Sequence, residues 1–338
     1  MRRAAIALAL SASLPLVFGP ATAFGQIGAT AEWQPLLPAP GAIDLAGPRG
    51  DGRLYLAESS RGLSLFRPGH AATPYADGPE GYAAPPGEPY IALAPGGRVR
   101  GAGCSFRRGE LFALDPGAHP GVVRIDRRGR AKRFTSLPAG TFPSGITFDE
   151  VGRFGGRLLV TMRFEASVDV LGIDCHGRVS KLISDAPQVE GGIAVAPASF
   201  GPYGGSLIAA DEFSGRIYAL RRHPDGAELI ADSALATGAD TGVESVGFVP
   251  PGFGPGDAAY LADFAVPGNP FPGTGSVLVG DGASLSSAGV APGDLLVATE
   301  GGGETIRVRC DPGCGVTVVA SGPDVAHAEG HIVFAAAP

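Results

Sequence analysis

Residues 189–211 read "VEGGIAVAPASFGPYGGSLIAAD". A short apolar run around Ile193 gives way to a connector rich in Gly and Pro. A second run, Leu207 to Ala210, follows and is closed by Asp211. Both runs are too short for an ordinary helix and are bounded by glycines, so each is predicted as a β-strand. The arrangement recurs along the chain. "AIDLA", "YIALA", "GITFD", "GIAVA", "SVGFV" and "HIVFA" begin near residues 42, 90, 145, 192, 245 and 331. Second strands ending in an acid follow most of them: "GRLYLAE", "GELFALD", "GGSLIAAD", "GDAAYLAD" and "GDLLVATE", with "GGRLLVTM" the exception. Hairpins such as "VVRIDRRGRAKRF", "VLGIDCHGRVSKLI" and "IRVRCDPGCGVTVV" come next, with Gly, Asp or Pro at their turns.

Short strands in groups of four, repeated roughly every 50 residues with no long amphipathic helix, predict an all-β fold, a β-propeller of six blades with four antiparallel strands each. A two-domain β-sandwich does not account for the period. The last interval, from 245 to 331, is longer and contains "GNPFPGTGSVLVGDGASLSSAGVAP", so it is one swollen repeat or two. Either "HIVFA" closes the last blade from inside or the early "EWQPLLP" supplies its closing strand.

The chain of 338 residues opens with Arg2 and Arg3, a short apolar core and the small-residue stretch Ala21–Thr22–Ala23. This is the pattern of a cleaved secretory signal. A membrane anchor is disfavoured because the apolar stretch is short and broken by Pro15. The expected organisation is a signal peptide over 1–23 and a single β-propeller domain over 24–338, secreted or periplasmic, with no membrane span after cleavage and monomeric. Net charge is −7 and lysine occurs only at Lys132 and Lys181, which speaks against nucleic acid and anionic membranes as partners. A small-molecule substrate or a protein ligand is the expected partner. The 54 Gly and 31 Pro accompany 44% apolar residues, the mark of a turn-rich folded chain rather than a disordered one. The four cysteines of an exported chain are expected in disulfides. Cys310 and Cys314 flank a Pro-Gly turn, and Cys104 with Cys175 follows only by elimination.

The lead-ins to the first strands, "APGAI", "GEPYI", "FPSGI", "VEGGI", "VESVG" and "AEGHI", place Glu88, Glu190, Glu244 and Glu329 at one repeated position, with Pro40 and Pro143 at the other two. At one rim of a closed ring these glutamates should converge, although a single such Glu is ordinarily a solvated loop residue. Converging carboxylates must either take up protons or surround a cation. Oxygen ligands favour Ca²⁺, the expected ion, or Mg²⁺. If His327 or His331 turns inward, Mn²⁺, Fe²⁺ or Zn²⁺ also fits. The candidate metal ligands are therefore Glu88, Glu190, Glu244, Glu329, His327 and His331. Glu58, Asp115, Asp211, Asp263 and Glu300 end second strands, which return to the same rim. Asp211 and Asp263 are the candidate catalytic bases, set against the plainer role of accepting hydrogen bonds from the following turn.

Cys310, Cys314, His327 and His331 match zinc-finger spacing, but Gly330 separates the histidines and "HIVF" favours strand, so a tetrahedral site is not expected. No G-x-S-x-G elbow or H-E-x-x-H motif is present, and "EGGGETI" lacks the Lys of a phosphate loop.

With hairpins such as "IDCHGRVSKLI" and lead-ins such as "VEGGIAV", the chain resembles the six-bladed propellers that include NHL-repeat and SMP-30/gluconolactonase-like proteins, over nearly its whole length after residue 23. The resemblance implies a divalent ion in the central channel, often Ca²⁺, and lactone or ester hydrolysis, with Glu88, Glu190, Glu244 and Glu329 at the positions similar to ligands. That group mixes one Glu with Asn and Asp, whereas Asn269 stands in the "PGNPFPG" loop and no Asn stands at these lead-ins. Two readings follow: a metal-dependent lactone or ester hydrolase, or a non-catalytic propeller whose ion ties blades together while rim loops bind a partner.

Overall fold

The computed structural model describes residues 30–85, 87–222 and 226–338. The expected signal, residues 1–23, lies outside them. Strand β1 (Ala31–Pro38) comes first and pairs far away in sequence. β2 (Ala42–Ala46), β3 (Leu54–Glu58), β4 (Gly62–Phe66) and β5 (Thr73–Tyr75) form an antiparallel sheet in that order. β6 (Ile91–Leu93) is followed by a small hairpin, β7 (Gly97–Arg98) and β8 (Ser105–Phe106). Then β9 (Leu111–Asp115), β10 (Gly121–Ile125) and β11 (Ala131–Ser136) complete the sheet β6-β9-β10-β11. A third sheet is β12 (Phe142–Phe148), β13 (Leu158–Arg163), β14 (Val168–Ile173) and β15 (Val179–Ala186). The fourth is β16 (Glu190–Val195), β17 (Leu207–Asp211), β18 (Arg216–Leu220) and β19 (Ala227–Asp232).

The rest of the chain departs from consecutive repeats. β20 (Val243–Phe248) is followed by β21 (Asp257–Asp263), β22 (Ser276–Asp281) and the short helix α1 (Gly282–Ser287). β23 (Leu295–Thr299), β24 (Thr305–Cys310), β25 (Cys314–Ser321) and β26 (Ala328–Ala336) come last. With β1 these strands close in the order β1-β22-β21-β26-β20-β23-β24-β25. Two links in that circuit are parallel and brief: Val246 opposite His331, and Ala31 and Glu32 opposite Ala320 and Ser321. The others are antiparallel ladders. The second strand of "SVGFV" is thus "LLVAT" (β23), whereas "DAAYLAD" (β21) pairs with "HIVFA" (β26). This corrects the consecutive order of second strands: residues 257–287 build the neighbouring sheet before the chain returns, and that excursion lengthens the last interval. "HIVFA" and "EWQPLLP" lie at opposite sides of one strand set, so both take part in closing it.

β2, β6, β12, β16, β20 and β26, each the first strand of its set, neighbour one another in a closed cycle, giving a propeller-like arrangement. Sheets covered on both faces need apolar side chains on both, so Leu207–Ala210 and Leu295–Ala298 are buried at every position rather than alternately. Apolar clusters fill the spaces between successive sheets. Ile146, Phe148 and Leu158 meet Phe112 and Leu114 in one, and Trp33, Leu278 and Phe334 meet Leu296 and Val319 in another. In the first, Phe106, Phe112 and Phe148 stack edge to face with centroids 5.0–5.4 Å apart.

Cys104 bonds Cys175, joining the β7–β8 hairpin to the β14–β15 turn, and Cys310 bonds Cys314 across its hairpin turn. Closing so short a loop is worth about 2 kcal/mol by chain entropy. Cys310→Ser/Cys314→Ser should therefore lower unfolding free energy by about that much in a denaturant titration. No change would mean that the hairpin keeps its register on strand pairing alone.

Candidate metal centre

The lead-in "GEPYI" brings Tyr90 to the ring of first strands, fully buried, just ahead of β6. Its hydroxyl lies 3.1 Å from Glu88 Oε2, 2.7 Å from Glu244 Oε1 and 3.1 Å from Glu329 Oε2. Three of the four repeated glutamates therefore meet at one oxygen. A phenol donates a single hydrogen bond, so two of the three carboxyls can approach it only as donors themselves. With no cation between them, at least two of these groups would have to carry protons.

Backbone pairing adds Glu300. The Glu300 amide donates to Gly242 O (2.7 Å) and its carbonyl accepts from the Ala328 amide (2.8 Å). It is thereby locked between the lead-ins carrying Glu244 and Glu329. This placement depends on the crossed strand order, which puts β23 beside β20. His327 Nε2 lies 2.9 Å from Glu300 Oε1 and 3.5 Å from Glu329 Oε1, while the His327 amide donates to Asp263 Oδ1 (2.7 Å). Glu212 completes the group. Oxygens of Glu212, Glu244 and Glu300 lie within 4.8 Å of one another, as do ligand atoms of Asp240, Glu300 and His327. Glu212, Glu244, Glu300, Glu329 and His327 are all buried, Glu88 is partly exposed and Asp240 exposed.

Burial, then the other carboxylates, pushes Glu244 and Glu329 well above the ordinary Glu range. Burial also raises Glu88, and burial followed by Glu300 raises Glu212 to about 8. For His327 burial resists the charge, but hydrogen bonding to Glu300 and its negative field carry the group upward. Within this cluster two buried atoms have no partner among the described residues: His327 Nδ1 and Glu300 Oε2. Of the carboxyls beside Glu300, Glu212 and Glu244, either could partner it only when one of the two groups is protonated.

The remaining expected ligands have other partners. Glu190 is held by the Arg163 guanidinium, a cation that the strand lead-ins alone do not reveal. The same charge also draws Glu88 and Glu212 downward. His331 sits deeper on the axis: Nδ1 is 2.9 and 3.0 Å from the two Asp44 oxygens, and Nε2 is 3.1 Å from Ile193 O. Both expected catalytic bases are turn acceptors. Asp211 takes the Phe213 amide and the Ser214 hydroxyl, and Asp263 takes the amides of Thr274 and His327 with the Thr274 hydroxyl. Asp115 pairs with Arg133, and Glu58 accepts from the Ser64 hydroxyl. Of the second-strand acids, Glu300 alone among the described residues enters the cluster.

Glu212 takes the place expected of Asp211, one residue further on, because the Asp211 carboxylate is engaged in its own turn. Tyr90 and Asp44 belong to no repeated pattern in the sequence. Their signal was a polar atom inside an apolar run, "PYIAL" and "AIDLA".

No protein-family profile and no curated protein matches the sequence. Among solved structures, a chain of a nidogen/laminin complex is similar over 87% of this chain and 84% of its own, at 13% identity and a TM-score of 0.48. A catalytically inactive virginiamycin B lyase from Staphylococcus aureus, solved with quinupristin, is 15% identical over 90% of this chain and 96% of its own, with a TM-score of 0.47. A protein from Lactobacillus plantarum is 12% identical over 87% of each chain, with a TM-score of 0.44. These likenesses concern overall shape and say nothing of activity.

Proposed function

We propose that this chain is an exported, single-domain, six-bladed β-propeller whose carboxylate cluster holds one divalent cation, Ca²⁺ foremost, tying the blades together at one mouth. Six blades are supported by dividing the eight-stranded circuit at its two brief parallel links, which leaves two antiparallel sets, β20-β23-β24-β25 and β26-β21-β22-β1. The apolar clusters agree, because one lies at each of the interfaces this division makes. Two disulfides favour an oxidising compartment, and no helix among the described residues is long and apolar enough to cross a membrane.

The observation that carries the cation is the unpartnered, buried Glu300 Oε2 within a set of carboxylates that cannot all be charged. Hard oxygen donors suit Ca²⁺ or Mg²⁺, and the His327 imidazole beside them would also admit Mn²⁺ or Zn²⁺. A bound ion would add positive charge to that of His327 and Arg163, which is too little to balance the carboxylates. Glu212, Glu244 and Glu300 would hold it, Tyr90 would orient Glu88 and Glu329, and His327 would fix the remaining oxygen of Glu300. With its acids drawn from separate sheets and mostly inaccessible, the centre is better suited to joining blades than to turnover.

A second reading, a lactone or ester hydrolase, is favoured by one feature: Glu88 and Asp240 give the cluster a solvent-facing edge. There Glu212, at about 8, could exchange a proton near neutral pH.

Metal content by plasma mass spectrometry tests the centre. The purified protein should carry about one equivalent of a divalent ion, lost in Glu244→Gln/Glu300→Gln and kept in Glu190→Gln, whose carboxylate belongs to Arg163. No ion in any of the three after dialysis against Ca²⁺ and Mg²⁺ would overturn the proposal. A lactone and ester panel on the loaded protein decides the second reading.

A further inference from the structure

The axis is closed between its two mouths. A Cβ on Gly192 would lie 2.3 Å from Gly330 O, so β16 and β26, next but one around the ring, approach as closely as backbone allows. His331 and Asp44 fill what remains of this waist. Beyond it, away from the carboxylates, the first strands open into a cavity of about 170 Å³, walled mostly by apolar side chains with Thr147, Glu150 and His331 among them. Leu45, Ile91, Phe148, Ala194, Phe248 and Val333 line it, so β2, β6, β12, β16, β20 and β26 all contribute. Gly47, Leu93 and Glu150 are shared with an outer hollow of about 530 Å³, whose wall carries Arg49, Arg108 and Arg127. A further hollow beside it adds Arg98 and Arg100 and again includes Arg108, Phe148 and Glu150.

The charges at this mouth are lopsided. Asp51 is held by Arg53 at 2.8 Å and by Arg49 at 3.6 Å. The Asp149 carboxylate accepts the amides of Gly152, Phe154 and Gly156. Arg98, Arg100, Arg108 and Arg127 form no ion pair and no side-chain hydrogen bond among the described residues, and the acid left among them is Glu150. A protein with a net charge of −7 thus surrounds an apolar funnel with unpaired guanidinium groups.

We propose that this second mouth binds a small amphipathic carboxylate, its apolar body in the funnel and its head group against Arg108 and Arg127. A dry cavity of about 150 Å³ accommodates a benzene ring, so the funnel suits an aryl group or an alkyl chain of roughly six to eight carbons. Guanidinium groups pair with carboxylates in a planar, two-pronged manner that neutral or cationic heads cannot match. The site stands apart from the carboxylate cluster and needs no cation.

Isothermal titration of the intact protein with octanoate, 1-octanol and octylamine, at fixed Ca²⁺, tests this. Octanoate should bind at least about tenfold more tightly than octanol, with octylamine weakest. Arg108→Ala/Arg127→Ala, both exposed positions, should abolish the preference for octanoate while leaving octanol unchanged. Ala194→Leu should weaken both ligands by filling the funnel. Glu300→Gln should alter neither. Octanoate binding no tighter than octanol would overturn the proposal. So would indifference to the double arginine change, or loss of binding in Glu300→Gln, which would assign the carboxylate to the cation centre instead.

Discussion

Asp44→Ala should lower the unfolding free energy by about 3–5 kcal/mol, the cost of stranding one member of a buried charge pair. Asp44 is wholly buried, yet every lone-pair direction of its carboxylate is used. Oδ1 accepts the amides of Leu45 (2.8 Å) and His331 (2.7 Å), and Oδ2 accepts the amide of Ile91 (2.7 Å). The imidazole of His331 lies against both oxygens and reaches Ile193 O on its far side. With an acceptor at each ring nitrogen the imidazole must donate twice, so it is the cation. Burial opposes that charge, and Asp44 more than offsets it, leaving His331 raised. One side chain therefore joins β2, β6 and β26 directly and β16 through His331. Alanine would leave three amides unpaired and an imidazolium buried with no counter-charge. Asp44→Asn, which retains one carbonyl acceptor and removes the charge, should cost less than alanine. Guanidinium denaturation with an unchanged slope is the measurement. An alanine variant within 1 kcal/mol of the parent would show that this waist does not hold the ring together.

The residue doing this is nearly invisible in the sequence. "AIDLA" reads as an apolar strand with one polar interruption, and nothing local tells a solvated Asp from one that bonds residues 47 and 287 positions away. What could be read was periodic. The recurring first strands and their acids reflect packing repeated in each sheet, and three of the four glutamates chosen on register do meet at Tyr90. Glu190 has the register and lacks the neighbour, because Arg163 lies on a second strand, in the one repeat ending "LLVTMR" rather than in an acid. The exception to the pattern carried the counter-charge. Strand order failed for a related reason: β21 and β23 are equally good second strands by composition. The choice between them is made by which first strand each meets in space, a non-local fact. Glu300 joined the centre through that choice.

Without added divalent cation, the melting temperature should fall by roughly 5–10 °C between pH 5 and pH 8. An unfolded Glu titrates near 4.3. In the folded protein burial and mutual repulsion raise Glu88, Glu244 and Glu329, and Glu212 reaches about 8. Between those limits the native state binds more protons than the unfolded chain, so stability declines as pH rises. His327 and His331, also raised, act in the same direction: their contribution is complete below the unfolded value and vanishes as pH passes the folded one. Asp51 and Asp126, lowered to about 2 by Arg53 and Arg130, stabilise above their unfolded values and so lie outside this window. Arg163 moderates the effect at Glu88 and Glu212 without reversing it. A divalent cation competes with those protons. Its stabilisation should grow with pH, so that millimolar Ca²⁺ raises the melting temperature far more at pH 8 than at pH 5 and flattens the profile. Calorimetric scans at both pH values, with Ca²⁺ and with chelator, separate the causes. A flat profile in chelator would mean that the carboxylates are solvated and uncoupled. A decline that Ca²⁺ cannot repair would keep the protonated cluster but remove the cation from it.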